Sequence, residues 1–163
     1  MSSRDGVHWD RPFLEAWVRP GPDLKNWTDR NNMTANGIVV TGEGEWSLYI
    51  SEHYRHEDHR IRRLTVRKQG FASMNGGAKG GSFTTRPLVV GGKKLYLNYA
   101  TSAAGSVRVE ALDEIGKTVA EMPELYGDEF EAPVLDLTSL EGKTVRLRVS
   151  LKDADLYAMR FGE

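Results

Sequence analysis

The sequence predicts an all-β protein, an antiparallel β-sandwich of the jelly-roll kind. Residues 144–151 alternate strictly between apolar and polar side chains, and successive side chains of a strand point to opposite faces. This segment is therefore predicted to have one buried and one solvent-facing side. Turn signals also recur at regular spacing through the second half of the chain, and no long segment shows the 3.6-residue period of a helix. Many short strands with regular turn signals are typical of a sandwich.

The first half is predicted to be less regular. Pro12, Pro20 and Pro22 interrupt residues 1–36, since proline fixes φ and removes a backbone donor. Short strands are predicted at 37–41 and 71–74, and a hairpin is predicted between them, with strands at 46–51 and 61–67 around a polar loop at 55–59. A glycine-rich bend at 75–81 then leads into the sandwich. We expect a propeller-blade-like β segment at 1–79 and the sandwich domain at 80–163.

The sandwich strands follow from alternation and from the turns between them. Gly91-Gly92 is predicted to be a two-residue hairpin turn, and further turns are predicted at 113–117 and 152–155. Thr138 is predicted to cap a single helical turn. The predicted strands are 82–85, 87–90, 94–101, 106–112, 118–122, 133–137, 144–151 and 156–161.

Composition excludes several classes of function. Lys and Arg number 22 against 23 Asp and Glu, and proteins that neutralise many phosphates carry a basic excess, so no nucleic-acid partner is expected. No apolar run approaches the roughly 18 residues of a membrane-spanning helix, so no membrane partner is expected. The chain has no cysteine, which excludes disulfides, thiol catalysis and thiolate metal sites.

Two sets of residues resemble known glycosidases. Ser3-Arg4-Asp5-Gly6-Val7-His8-Trp9 is similar to the SxDGxxW signature of β-propeller glycosidases, where Asp and Gly make the turn of a blade hairpin and Trp packs between blades. Residues Thr101–Glu110, Gly142–Arg148 and Leu151–Tyr157 resemble the C-terminal sandwich of bacterial proteins described as glycoside hydrolase family 32-like. These proteins have a five-bladed propeller followed by a β-sandwich.

The resemblance implies that residues 1–74 are the last part of a propeller and that residues 80–163 are an accessory sandwich. The catalytic carboxylates of the family lie mainly on earlier blades. No residue here matches them, so none is assigned, and the chain is expected to be a fragment of a longer gene product. The resemblance also implies an extracellular or periplasmic location. An apolar edge left by the absent blades is expected to favour a homo-oligomer, because large apolar patches seek cover.

The candidate carbohydrate-binding residues lie at the end of the first predicted hairpin. Sugar rings stack on aromatic faces, and an aromatic platform could be formed by Trp46, Tyr49, Tyr54, Tyr96 and Tyr99. Trp46 and Tyr99 are expected in the core instead. The residues assigned as candidate sugar contacts are Tyr49, His53, Tyr54 and Arg55.

Other clusters leave alternatives open. His53, His56 and His59 are consistent with a polar loop, a sugar-contacting loop or a transition-metal site, and no metal site is predicted. Glu52, Glu57 and Asp58 show no spacing that marks a catalytic pair. Calcium is possible but not predicted at two carboxylate groups, for which turn chemistry is favoured: Asp128, Glu129 and Glu131, and Asp153 with Asp155. No cofactor is predicted.

The function predicted from the sequence is a non-catalytic, carbohydrate-associated β-sandwich of a glycosidase-like protein. One alternative is a small glycosidase that is active only as an oligomer. The other is a structural or protein-interaction sandwich that does not bind sugar. A glycan is the expected ligand in the first two cases.

Overall fold

The chain is all-β, as predicted, and its described sheets are antiparallel. The computed structural model describes residues 1–3, 5–27 and 33–163. Helical backbone in these ranges is confined to two 3₁₀ turns, Leu24–Trp27 and Thr138–Leu140, and no described helix has the length and apolar character needed to cross a membrane. The chain divides into unit 1, residues 1–41 and 46–65, and unit 2, residues 42–45 and 66–163.

The described residues of unit 1 form two small sheets. β1 pairs with β2, and β5 pairs with β3, β4 and β6. The ends of β5 and β6 extend into unit 2. The six strands are β1 (Ser2–Ser3), β2 (Trp9–Asp10), β3 (Met33–Thr34), β4 (Val39–Val40), β5 (Glu45–Glu52) and β6 (Arg60–Arg67).

The hairpin of β1 and β2 is closed by side chains of the SxDGxxW segment. The Ser3 hydroxyl accepts a hydrogen bond from the Gly6 amide at 2.8 Å. One Asp5 carboxylate oxygen accepts the amides of Val7 and His8 at 2.9 and 2.8 Å, and Gly6 has a left-handed φ of 73°. Asp and Gly thus make the turn because the carboxylate satisfies its backbone donors. Arg4, within this segment, lies outside the described residues, and Trp9 is 59% exposed.

Unit 2 is built around two strands of 19 residues each. β10 and β13 pair antiparallel from Lys94 opposite Gly162 to Leu112 opposite Arg146. The seven strands are β7 (Met74–Gly76), β8 (Gly81–Thr84), β9 (Leu88–Val89), β10 (Lys94–Leu112), β11 (Thr118–Glu121), β12 (Asp128–Asp136) and β13 (Thr144–Gly162).

The two halves of this long pair form two layers with one core between them. The first half of β10 also pairs with β12, and its second half pairs with β11. The matching halves of β13 pair with β7, and with β8 and β9. Apolar side chains from both halves belong to a single buried cluster. Its members from the long strands include Leu95, Leu97, Tyr99, Val107, Val109, Ala111, Val145, Leu147, Val149, Leu151 and Leu156.

The halves are separated by a bend where the register shifts. Thr101 lies opposite Ala154 and Ser106 opposite Lys152, so residues 102–105 face the single residue Asp153. Asp153 has a φ of 43°. A Cβ on Gly105 would lie 2.2 Å from the Asp153 carbonyl oxygen. Only glycine lets the two backbones approach this closely.

Several sequence-based predictions are wrong in this region. The turn predicted at 152–155 is absent because these residues continue β13, and the interruption predicted between 101 and 106 is likewise strand. Both errors have the same cause. A β-bulge interrupts the apolar–polar alternation of a strand with small and polar residues, and a turn does the same, so the sequence pattern does not distinguish them. Gly91-Gly92 does not join paired strands, because β9 pairs with β13.

Three smaller boundaries also differ. β7 begins at Met74, so residues 71–73 are not strand, and the β-structure of 128–136 starts earlier than predicted. Thr138 lies within its 3₁₀ turn rather than capping it. An Asp136 carboxylate oxygen accepts the Thr138 amide and hydroxyl at 2.8 and 2.7 Å, which forms a side-chain turn just before the 3₁₀ turn.

The bend provides a direct test of this architecture. Gly105→Ala is expected to destabilise unit 2 by about 2 kcal/mol or more, because the new Cβ collides with backbone that cannot move without breaking the ladder. Gly91→Ala is the matched control, since a Cβ there meets no atom within 4 Å. Urea unfolding followed by far-UV circular dichroism measures both. Equal midpoints for the two variants would contradict the bent-ladder description.

Candidate functional site

The candidate sugar contacts lie at the tip of the hairpin between β5 and β6 in unit 1. We define the hairpin tip as residues 53–59. The 3₁₀ turn Leu24–Trp27, with the residue that precedes it, contacts this tip through hydrogen bonds. A segment remote in sequence therefore fixes the shape of the loop.

His53 is the centre of the tip and is only 5% exposed. Its Nε2 lies 2.7 Å from Asp23 Oδ2, and its Nδ1 lies 2.8 Å from Asp58 Oδ2. Arg60 Nη1, at 3.4 Å from Nδ1, is the more distant neighbour. The His53 ring is therefore held between two carboxylates, one at each ring nitrogen.

The same carboxylates tie the 3₁₀ turn to the tip. Lys25 Nζ donates to Asp58 Oδ2 at 2.8 Å, and the Asn26 side-chain oxygen accepts the His53 amide at 3.0 Å. The hydrogen bond from Lys25, followed by that from His53, lowers the pKa of the Asp58 carboxyl below its ordinary value. The hydrogen bond from His53 is the main cause that lowers the pKa of Asp23. Both carboxyls are therefore ionised at neutral pH.

A second buried ion pair lies at the end of β5. Glu52 is 6% exposed and accepts from Arg60 Nε at 2.8 Å and from Arg62 Nη1 at 2.9 Å. The hydrogen bond from Arg62, reinforced by that from Arg60, lowers the pKa of Glu52 despite its burial. A carboxylate this buried is stable only with such partners. The two arginines are neighbours on one face of β6, which fixes them opposite Glu52.

Tyr54 and Arg55 form the exposed surface of the tip. His53 and Arg55 have left-handed φ values of 54° and 69°, a conformation that costs a non-glycine residue of order 1 kcal/mol and needs support from its surroundings. The backbone reversal presents the Tyr54 side chain, with the residue 38% exposed. The Arg55 guanidinium lies 5.5 Å from the centre of its ring, and His59 meets the ring edge-on at 6.1 Å.

The structure separates the four predicted residues. It places Tyr54 and Arg55 side by side at the surface, Tyr49 half-buried within β5, and His53 inside the tip, where it holds the loop. In the core assignments, Tyr99 is buried as expected, while Trp46 is only half-buried.

The other sequence-predicted clusters do not converge on a ligand. Among the described residues, no group of three His, Asp or Glu side chains has an arrangement that could hold a metal ion. Asp128 pairs with Arg67 and Glu131 with Lys68. Asp155 accepts hydrogen bonds from Ser73 and Asn75 at 2.6 and 3.0 Å. These carboxylates hold neighbouring segments together.

Sequence reasoning missed the residues that build the tip. Asp23 and Lys25 lie 30 and 33 residues before their partners, and no local pattern connects them to the tip. Comparison of the chain with protein-family models, with curated proteins and with solved structures finds no match.

The pKa shifts predict how the tip responds to acid. A carboxyl with a lowered pKa stabilises the folded state above its unfolded pKa and loses that contribution as the pH falls through its folded value. Asp58→Asn should therefore lower the urea midpoint of unit 1 at neutral pH, and the difference from wild type should shrink below pH 3.8, the ordinary value. All four Trp residues lie in unit 1, so their fluorescence reports it selectively.

Glu57→Gln is the control for this measurement, since Glu57 is an exposed neighbour of Asp58. Its midpoint should track that of wild type across the titration. A difference between Asp58→Asn and wild type that stays constant from about pH 7 to about pH 2 would contradict the ionised network.

Proposed function

We propose that this chain is a non-catalytic, carbohydrate-contacting β module of a glycosidase-like protein, and that its hairpin tip presents Tyr54 to a sugar. The observation that carries the proposal is the exposed Tyr54 ring on a backbone that His53 holds through two carboxylates and its amide. The Ser3–Trp9 hairpin, whose turn is made by Asp and Gly, supports the glycosidase-like origin.

The chemistry of the tip suits a sugar. The axial C–H groups of a pyranose pack on an aromatic face and bury apolar area there. The Arg55 guanidinium and the His59 ring next to Tyr54 bring groups that hydrogen-bond to hydroxyls. Because the loop is already fixed by the 3₁₀ turn, binding requires little further ordering, and less affinity is lost to entropy.

The carboxylates near Tyr54 support a non-catalytic role. Glycoside hydrolysis needs one carboxylic acid with a raised pKa that protonates the leaving group. Asp23, Glu52 and Asp58 each have a lowered pKa, and each is hydrogen-bonded to a basic side chain. Acids held ionised in this way serve as structural anchors rather than proton donors.

Substitution of Tyr54 tests the proposal. On a glycan array followed by calorimetric titration with the best ligand, Tyr54→Ala should weaken binding about 5- to 10-fold, since a stacked aromatic contributes about 1 kcal/mol. Tyr54→Phe keeps the ring and should bind nearly as wild type. Tyr126→Ala is the control, because Tyr126 is 61% exposed in unit 2. No glycan bound by wild type, or equal affinity for Tyr54→Ala, would overturn the proposal.

A second candidate, a protein-interaction module, is favoured by the large apolar side chains that are exposed in unit 1. Soluble proteins use exposed apolar side chains that lie together to bind partners. We infer that a second copy of the chain covers these side chains in a homo-oligomer. The large apolar residues exposed in unit 1 include Val7, Trp9, Phe13, Leu14, Leu24, Trp27, Val40 and Ile61.

Sedimentation velocity tests the homo-oligomer. Wild type should sediment as an oligomer, and the double variant Trp9→Ser with Phe13→Ser should shift toward the monomer. Ile115→Ser is the control, since Ile115 is 87% exposed in unit 2. A wild-type chain that stays monomeric at high concentration would refute this candidate and leave the sugar proposal intact.

A further inference from the structure

The strand pairing of unit 1 leaves a short segment between β3 and β4 outside the ladder. Both strands pair antiparallel with β5, and Thr34 lies opposite Ile50. Val39 lies opposite Ser47, so the four residues between these two pairs face only two residues of β5. Extra residues of this kind form a bulge, in which ladder pairing is interrupted. We call Asn36-Gly37, at the centre of this segment, the bulge dipeptide.

The bulge dipeptide is exposed and makes few contacts. Both residues are exposed, and Gly37 has a left-handed φ of 94°. A Cβ built on Gly37 would meet no atom within 4 Å, so open space surrounds its backbone. Within the described residues, neither the Asn36 side chain nor the Gly37 amide makes a hydrogen bond. The torsions that join the two residues can therefore rotate without breaking a contact.

An asparagine followed by glycine can close a ring on its own backbone. The glycine amide nitrogen, after losing its proton, attacks the asparagine Cγ, and a C–N bond forms as the side-chain nitrogen takes up a proton and leaves as ammonia. The succinimide ring then takes up one water at either ring carbonyl, which gives aspartate or isoaspartate. Water is the only co-reactant. Glycine favours the attack because it has no Cβ to shield its nitrogen, and asparagine is among the thermolabile residues.

The chain holds a second Asn-Gly sequence, Asn75-Gly76 in β7, in a different setting. Asn75 lies opposite Asp155 in the ladder and donates its side-chain amide to that carboxylate at 3.0 Å. Gly76 is buried opposite Ala154, and a Cβ there would lie 2.5 Å from the Leu151 side chain. Ring closure requires rotation between these two residues, and the ladder holds both of them. Asn75 is itself exposed, so backbone pairing rather than exposure separates the two sites.

We propose that the bulge dipeptide is a site of spontaneous deamidation, where Asn36 converts to aspartate and isoaspartate while Asn75 is protected. Conversion adds a negative charge to a chain whose formal net charge is −1. The charge enters just before the exposed apolar residues 38–40. Isoaspartate also routes the main chain through the former side chain, which adds one backbone carbon ahead of β4. This modification rests on neither of the proposed functions.

Peptide mapping by liquid chromatography and mass spectrometry tests the proposal on the folded full chain, incubated at mildly alkaline pH and compared with an unincubated digest. The peptide that contains Asn36 should gain the mass of an NH₂ group replaced by OH and should separate into two products. Its rate of conversion should exceed that of the Asn75 peptide at least about tenfold, because Asn75 converts only when the ladder opens locally. Equal rates, or an Asn36 peptide that stays unchanged, would overturn the proposal.

Unfolding and substitution supply the controls. In concentrated urea both peptides should convert at similar rates, since each asparagine is followed by glycine. A difference that persists in urea would assign the selectivity to sequence and refute the role of the bulge. Asn36→Gln should remove the acidic species that isoelectric focusing detects, because the longer side chain must close a larger and less favourable ring. Asn75→Gln is the matched control and should form that species as wild type does. An acidic species that Asn36→Gln forms as fast as wild type would contradict the assignment to Asn36.

Discussion

The backbone ladder between β10 and β13 is the constraint on which the rest of unit 2 depends. One pair of long strands contributes the centre of both layers, and the shorter strands only extend their edges. Folding the pair onto itself buries Leu97 and Tyr99 with Val109 and Val149 in one cluster. The hydrophobic gain therefore requires the bend, and the bend requires Gly105.

Unit 1 is stabilised by different forces. In its described residues Ile50 is the only large apolar side chain that is fully buried. Charged and polar contacts hold its strands instead: Glu52 binds two arginines of β6, and Arg63 Nε donates to the buried Ser47 hydroxyl at 2.8 Å. Exposed ion pairs contribute little, but loss of a partner from a buried one leaves an uncompensated charge. The free energy of unfolding of unit 1 is therefore expected to change with pH, whereas that of unit 2 depends mainly on the apolar area that it buries.

The sequence was sufficient where a local pattern matched a local structure. Alternation predicted the buried faces of 106–112 and 144–151, and Val107 and Val149 are fully buried. It failed where structure depends on distant pairing, since the bulge at 101–106 is set by what lies opposite it. The hairpin tip shows the same division. Its polar loop was evident, but the burial of His53 depends on Asp23, which is 30 residues away.

Among the residues that the structure describes, three arginines lie over tyrosine rings, and their remaining contacts decide their roles. Arg67, over Tyr157, also donates to Asn98, Asp128 and the Glu129 carbonyl, so its guanidinium is committed to the fold. Arg55 lies over Tyr54 on a loop with left-handed backbone angles. The Tyr54 ring beside it is exposed to solvent. Arg160, over Tyr96, has the stacking contact and one distant carboxylate. Stacking orients a guanidinium without using its in-plane N–H donors, so within the described residues Arg160 is oriented by its ring contact and by the charge of Glu131 rather than by a hydrogen bond.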